Sequence, residues 1–333
     1  MIMQGNLTVD TQIMPKYCPI ISVIIPAKNS EEFIFRCLES LKQQTFDPKF
    51  FEVIVVNNLS TDSTVETVES FGFSLIESYA TSAAGVRNMG AEFANGKILA
   101  FLDSDCIAPP EWLEVIHNVF ANGRNSELIV GGTCLSPKDG TFVEKNWAPN
   151  TTFYEGPVNA LPGANMSLEK SAFFRLGGFC DRLKTAEDDE ICKRARAFGF
   201  QIISKRNLAV VHLGYPKSLV DLFRKMVSQS ETQLIAHGFF GDKVVILTWV
   251  WISLLMLTPA ALYLNLPWWL AVIALIIPPF IFTIARLRRT TYRNAVTLVP
   301  KTFLIALTAL SGRAWGLGSE IYKKMILGYR EKI

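Results

Sequence analysis

The chain has 333 residues, with 33 Lys and Arg against 30 Asp and Glu, for a formal charge of +3. Half of it is hydrophobic and 19% is charged, which excludes a disordered chain, since such chains are poor in apolar residues and rich in charge. The 6 cysteines, spread over that length, exclude a small fold stapled by disulfides.

Residues 1–19 read as an N-terminal extension, and 1–16 lack the apolar core of a secretory signal. Residues 20–26 form a continuous apolar run, the pattern of a strand buried on both faces. Residues 31–43 follow with Phe33, Cys37, Leu38 and Leu41 at helical spacing. Residues 51–58 predict a second strand, and Ser63-Thr64-Val65-Glu66 has the form of a capping box opening a second helix. Residues 73–76 predict a third strand, 83–94 a helix and 98–102 a fourth strand. Pro109 and Pro110 start the helix 111–120. This alternation implies a mostly parallel sheet flanked by helices. Ligands of such sheets bind beyond the carboxyl ends of the strands. The strand-end groups Lys28-Asn29, Asn57-Asn58 and Asp103-Ser104-Asp105 are therefore expected in one crevice.

Asp103 and Asp105 follow an apolar strand. Alternate carboxylates there can hold a hard divalent cation together with phosphate oxygens, although paired acids at a strand end are commonly turn formers. Arg87, within Gly85-Val86-Arg87-Asn88-Met89-Gly90, is of the residue type that clamps phosphate. Glu187-Asp188-Asp189-Glu190 opens a helix, where acidic groups meet the positive end of the dipole. His212 ends the apolar run Ala209-Val210-Val211, and a structural histidine explains it as well as a metal ligand does.

Taken in order, these segments resemble the inverting glycosyltransferases of family 2, with the GT-A fold, over about residues 20–214. The residues that carry the resemblance are Val23-Ile24-Ile25-Pro26-Ala27-Lys28-Asn29, Val55-Val56-Asn57-Asn58-Leu59-Ser60-Thr61-Asp62, Phe101-Leu102-Asp103-Ser104-Asp105 and Glu187-Asp188. The resemblance implies transfer of one sugar from a nucleotide sugar, UDP-linked as first choice, to a lipid-linked or glycan acceptor of cell-surface polysaccharide or glycolipid synthesis. It also implies a divalent cation, Mg²⁺ or Mn²⁺. By the same resemblance Pro26, Lys28 and Asn57 line the nucleotide base and Arg87 lies near base and diphosphate. Asp103, with Ser104 beside it, falls near ribose and metal. Asp105 is the direct metal ligand, with His212 as a further one. Asp188 is the general base, with Glu187 beside it. Two departures stand out. Asn57 replaces the usual Asp, and no Gln-x-x-Arg-Trp sequence follows Asp188, so one sugar per acceptor is expected. Two rival readings are weaker. A sugar nucleotidyltransferase calls for a Gly-rich loop after the first strand, where Pro26-Ala27-Lys28-Asn29 stands instead. A non-catalytic scaffold binding a nucleotide sugar is favoured by Asn57 and opposed by Asp103, Asp105 and Asp188.

Residues 244–285 contain no Asp, Glu, Lys or Arg, and Asn265-Leu266-Pro267 divides them. One bilayer-spanning helix needs about 20 apolar residues. A transmembrane hairpin, 244–264 and 267–285, is the expectation, with Trp249, Trp251, Trp268 and Trp269 towards its ends. The alternative is a buried helical pair of a soluble core. Residues 286–333 carry ten basic against two acidic groups. Such an excess marks the cytoplasmic side and attracts anionic lipid, so membrane lipid rather than nucleic acid is the expected partner. The apolar stretch 297–310, interrupted by Lys301, is expected as an interfacial helix rather than a third span. This topology places the catalytic domain, 20–240, on the cytoplasmic side of an inner or plasma membrane. Its cysteines are then expected reduced and mostly buried, and the glycosylation acceptor Asn150-Thr151-Thr152 unused.

Overall fold

The protein is seen here as a computed structural model that describes residues 18–122, 126–147, 155–183, 185–237, 243–287 and 295–330. The expectations placed on residues 1–17, on Asn150-Thr151-Thr152 and on Arg288, Arg289, Arg293 and Lys332 lie outside the described residues.

Strand and helix alternate as the apolar runs predict: β1 (Ile21–Ala27), α1 (Ile34–Lys42), β2 (Phe51–Asn57), α2 (Thr64–Phe71), β3 (Ser74–Glu77), α3 (Ala83–Phe93) and β4 (Ile98–Leu102). The chain continues through β5 (Cys106–Ile107), α4 (Trp112–Asn122), β6 (Leu128–Gly131), β7 (Cys134–Leu135), α5 (Phe142–Trp147) and β8 (Gly156–Pro157). Then come β9 (Asn165–Glu169), α6 (Lys170–Arg175), α7 (Glu187–Ala197), β10 (Gln201–Ser204) and β11 (Val210–His212). The main sheet has the order β3-β2-β1-β4-β9-β6-β10-β8, and a small sheet has the order β5-β11-β7. β3, β2, β1 and β4 are parallel, as are β6 and β10. β9 runs antiparallel between β4 and β6, and β8 antiparallel on β10.

β1 is apolar throughout because both of its faces are covered. Ile21, Val23 and Ile25 pack with Cys37, Leu38 and Leu41 of α1, while Ile24 packs with Val86 and Ala91 of α3 and with Phe101. Burying each such side chain contributes about 1.5–3 kcal/mol. Gly90 lets α3 approach β1 closely, since a Cβ there would meet Ile24 Cγ2 at 2.5 Å. The start of α2 differs from the expected capping box. Ser63 caps nothing with its side chain. Instead Asp62 Oδ1 accepts from Thr64 N at 3.1 Å, and Glu31 Oε2 accepts from Ser63 N at 3.1 Å. Carboxylates are the stronger acceptors and take the helix start from the hydroxyl. The six cysteines are free, and Cys37, Cys106 and Cys192 are buried. Burial pushes the Cys192 thiol up to about 12.

Beyond the sheets lie α8 (Leu219–His237), α9 (Lys243–Tyr263), α10 (Trp268–Leu287) and α11 (Ala295–Arg330). α9 and α10 are each long and apolar enough to cross a membrane. Asn265, at φ 52, turns the chain between them, a left-handed conformation that Asn tolerates. Their outward side chains are bare: Met256 is 78% exposed and Trp268 70%. α11 is one 36-residue helix rather than the short one expected over 297–310. It has a protein partner along one face. Gly312 and Gly316 lie so close to α8 that a Cβ on either would stand 2.6 Å from the carbonyl oxygens of Phe223 and Val227 respectively. Ile305, Ala309 and Leu310 of α11 are buried with Leu222 and Met226 of α8 and with Val143, Trp251 and Phe282. Two cations counted as lipid-directed are thereby built into the protein. The Arg286 guanidinium lies 4.7 Å over the Trp147 ring and donates to the Trp147 carbonyl, and Arg313 is buried.

Candidate active site

β1, β2 and β4 run parallel and end at one edge of the sheet. Pro26, Lys28, Arg87, Asp103, Ser104 and Asp105 line a single cleft there, of about 560 Å³, together with Asn58 and Gly214. These six were all expected from the sequence. Ser104 Oγ lies 2.9 Å from Ser30 Oγ, which ties the β4 and β1 loops together.

Arg87 joins the parts. It projects from α3, whose start is fixed by Ser82: its Oγ accepts from Gly85 N at 3.2 Å and donates to Asp181 O at 2.8 Å. Arg87 Nη2 donates to Asp103 Oδ1 at 2.6 Å and Nη1 donates to Glu187 Oε1 at 2.7 Å. Burial works against the guanidinium charge, but Asp103 and Glu187 outweigh it and hold its pKa above the ordinary value. Burial raises the Glu187 pKa from its ordinary value, with Arg87 pulling the other way. One buried cation thus bridges the strand-end Asp103 to the acidic helix start. Asn88 reinforces the link, donating from Nδ2 to Phe179 O at 2.8 Å and accepting from Phe179 N at 2.9 Å.

Asp188 is aimed by backbone. Ala186 adopts φ 63 at the N-cap of α7, which turns the chain so that Glu187 meets Arg87. Asp188 Oδ2 accepts from Gly163 N at 3.1 Å, and Oδ1 from Asp189 N at 2.9 Å. Gly163 lies against this junction: a Cβ there would be in ordinary contact with Arg87 Cζ at 3.4 Å and Asp188 Cβ at 3.5 Å.

His212 enters from β11, which pairs with β5 and so faces the Asp105 loop. Its Nε2 is 3.5 Å from Asp105 Oδ1. Its ring stacks on Tyr215 at 4.3 Å, and its buried Nδ1 has no partner. Burial raises the Asp105 pKa, with His212 opposing. The donor atoms of Asp105, Cys106 and His212 lie within 4.8 Å of one another. A hydrogen bond to Cys134 and burial push the Cys106 thiol well above its ordinary value, and sulfur is a soft donor that hard Mg²⁺ or Mn²⁺ disfavours. That leaves one carboxylate and one imidazole, a set that fits a divalent cation completing its shell from a phosphate-bearing ligand.

Asn57 stands apart. It is buried at the end of β2, its Nδ2 donates to both Glu77 oxygens at 2.9 and 3.0 Å, and its Oδ1 accepts from Ser60 N at 3.2 Å. The cleft wall at this point is its neighbour Asn58. Sequence reasoning missed Gly214. A Cβ at that position would stand 1.9 Å from Asp105 Oδ2, and a lone glycine two residues past β11 carries no signal of such an approach. It also missed Asn88, which lies inside the quoted Arg87 segment.

Residues 22–175 match the family described as Glycosyl transferase family 2. The chain is 29% identical over 213 residues to "Glycosyltransferase AglE" of Haloferax volcanii, covering 61% of this chain and 70% of that protein. It is 36% identical over 117 residues to "Putative glycosyltransferase EpsH" of Bacillus subtilis, covering 34% of this chain and 33% of that protein. Among solved structures, a mannosyltransferase from Pyrobaculum calidifontis, in complex with GDP-Man and Mn²⁺, superposes with a TM-score of 0.53 at 18% identity, covering 89% of this chain and 88% of that one. S. aureus TarS superposes with a TM-score of 0.50 at 17% identity, covering 90% of this chain and 55% of that one.

Proposed function

We propose that the chain acts as a family 2 glycosyltransferase with a GT-A-type α/β fold, moving a single sugar from a nucleoside-diphosphate sugar to an acceptor hydroxyl and inverting the anomeric configuration. The observation that carries this reading is the Arg87 bridge, which brings Asp103 and the Glu187-Asp188 helix start to one cleft. In the proposed reaction Asp188 takes the proton from the acceptor hydroxyl, its carboxylate aimed by the Gly163 and Asp189 N–H groups. Glu187 holds Arg87, and Arg87 keeps Asp103 in place for the ribose side of the donor. Pro26, Lys28 and Ser104 wall the donor cleft. Asp105 and His212, with Asp103 nearby, would hold a divalent cation, Mg²⁺ or Mn²⁺, which when bound offsets charge on the departing diphosphate. Uridine is the base expected from the resemblance. Because the Asn57 amide is already committed to Glu77 and Ser60, base choice falls to the other walls.

The apolar helices supply the rest of the reading. Residues 244–285 anchor the enzyme in a membrane, with the catalytic domain, 20–240, on the cytoplasmic face. The acceptor is then lipid-borne or a glycan presented at that surface. This is supported by the bare apolar faces of α9 and α10 and by the basic excess of residues 286–333.

The test uses the purified full chain in detergent, offered UDP- and GDP-sugars with extracted membrane lipid, read by nucleoside diphosphate release and by mass of the lipid product. Release is expected to require Mg²⁺ or Mn²⁺ and to stop on chelation. Asp188→Asn is expected to lower the transfer rate by about 10²–10⁴-fold. A variant that transfers as fast as the parent would remove Asp188 from the reaction.

A further inference from the structure

His212 closes β11 opposite Cys106 of β5, and the next residue extends the tie: Leu213 N donates to the Asp105 carbonyl at 2.8 Å. The backbone is therefore fixed here, and only the side-chain torsions decide where the imidazole points. The outer torsion of histidine is broad and roughly two-fold, so by itself it selects no ring orientation. A histidine that binds a metal through one nitrogen almost always has the other held by a carbonyl, carboxylate or water, which sets that orientation. In this protein Nε2 faces Asp105 Oδ1 at 3.5 Å, but the buried Nδ1 has no partner. The far nitrogen therefore does not aim the ring.

Packing does so instead. The Tyr215 ring lies on the imidazole face, with centroids 4.3 Å apart and planes inclined by 28°. Tyr215 is itself tethered, because its hydroxyl donates to the Cys134 carbonyl of β7 at 2.9 Å. β7 flanks β11 on the side away from β5, so the tyrosine is tied across the small sheet that carries His212. Gly214 sits against the ring edge, where a Cβ would lie 3.3 Å from His212 Cε1. We propose that Tyr215 is a positioning residue of the cation site: its ring face, pinned at Cys134, holds the His212 imidazole with Nε2 toward Asp105. The stack takes the place that a hydrogen bond to the second nitrogen has in other metal sites. Tyr215 is not among the residues that wall the donor cleft. The inference rests on the reading of Asp105 and His212 as cation ligands and adds to it a residue that acts through His212.

Mn²⁺ titration of the full chain in detergent tests it, read from the electron paramagnetic resonance signal of the free ion. Tyr215→Leu removes the ring and is expected to weaken Mn²⁺ binding about tenfold or more, the usual cost of losing a group that orients a metal ligand. Tyr215→Phe keeps the ring face and is expected to stay within about threefold of the parent. The deciding comparison is made in His212→Ala, where adding Tyr215→Leu should change Mn²⁺ affinity by less than about twofold, because a group that acts through His212 then has nothing to position. An equal loss in that background would show a general effect on the fold around Asp105 and overturn the assignment. Parental Mn²⁺ affinity in Tyr215→Leu or in His212→Ala overturns it too, as does a Tyr215→Phe variant that binds as weakly as Tyr215→Leu. Should Tyr215→Leu melt before binding can be read, Tyr215→Met carries the same comparison. A parent that takes up no Mn²⁺, alone or with UDP or GDP present, overturns the cation site and this inference together; sugar transfer by that parent would leave the glycosyltransfer reading standing.

Discussion

Gly214 gives the sharpest test of the proposed cation site, because a single methyl group is aimed at one carboxylate. In Gly214→Ala the new Cβ would lie 1.9 Å from Asp105 Oδ2, 3.0 Å from its Cγ and 3.3 Å from His212 Cε1. Ordinary contact begins near 3.4 Å, so the carboxylate must retreat by roughly 1.5 Å. Rotation of the Asp105 side chain achieves this at little cost to the fold, and the change in stability is expected to stay within about 1 kcal/mol. The site itself is less forgiving. A displacement of about 1 Å at a reacting centre can cost about 10²-fold in rate. Donor turnover is therefore expected to fall by about that factor, with the Mn²⁺ midpoint moved upward and the melting temperature near the parent's. A Gly214→Ala enzyme with parental turnover and an unmoved Mn²⁺ midpoint would refute the reasoning, because it would show that the Asp105 position does not matter.

Arg87→Met strands Glu187 and Asp103 without their shared cation. Losing one partner of a buried pair costs about 3–5 kcal/mol, here toward the low end because the Asp103 side chain is 27% exposed. Thermal or denaturant melting reads this, and a loss below about 1 kcal/mol would contradict it. Gly316→Val drives a side chain into the Val227 carbonyl of α8 and is expected to cost about 1–3 kcal/mol by overpacking; a melting curve matching the parent's would show that α8 and α11 do not pack this way. Leu59 is half exposed and sits at φ 56, so Leu59→Gly is expected to stabilise by about 0.5–1 kcal/mol, the relief of a left-handed side chain less the entropy of glycine. A lower melting temperature in that variant would argue against the backbone conformation of the β2–α2 loop.

How much of this was legible depended on whether a signal was local. β1 and β4 were readable because burial on both faces writes a continuous apolar run. The strand-end polar groups converge for the reason parallel sheets gather loops at one edge, and Asp103, Ser104, Asp105, Pro26 and Lys28 do share a wall. β9 was not readable as an antiparallel insertion between β4 and β6, since its position depends on pairings far away in the chain. Ser63 had the right residue type for a cap, yet Asp62 and Glu31 compete for the same N–H groups and win. Asn57 is expected against a base, and its Nδ2 donates to Glu77 across the β2–β3 pair, a partner that no motif announces. α11 looks shorter in the sequence because Arg313 closes the apolar stretch, whereas in the structure Arg313 is buried and the helix runs on to Arg330; Gly312 and Gly316 make sense only once α8 lies against them.

α8 joins the apolar helices to the loop beside the cleft. Met226 and Val227 are held by α11 through close glycine contacts that leave little room for sliding. β11 and the loop leading from it into α8 carry His212, Gly214 and Tyr215. Leu213 N also donates to the Asp105 carbonyl at 2.8 Å, so this loop fixes the backbone of the proposed cation site as well as its side chains. On the far side, the Arg286 contact with Trp147 ties the end of α10 to α5, whose Val143 shares a core with α8 and α11. The apolar helices are therefore not a tether trailing from a finished catalyst. They pack on α8, which follows directly from the loop bearing Gly214, and excising them at residue 243 is expected to weaken donor binding in a nucleotide titration.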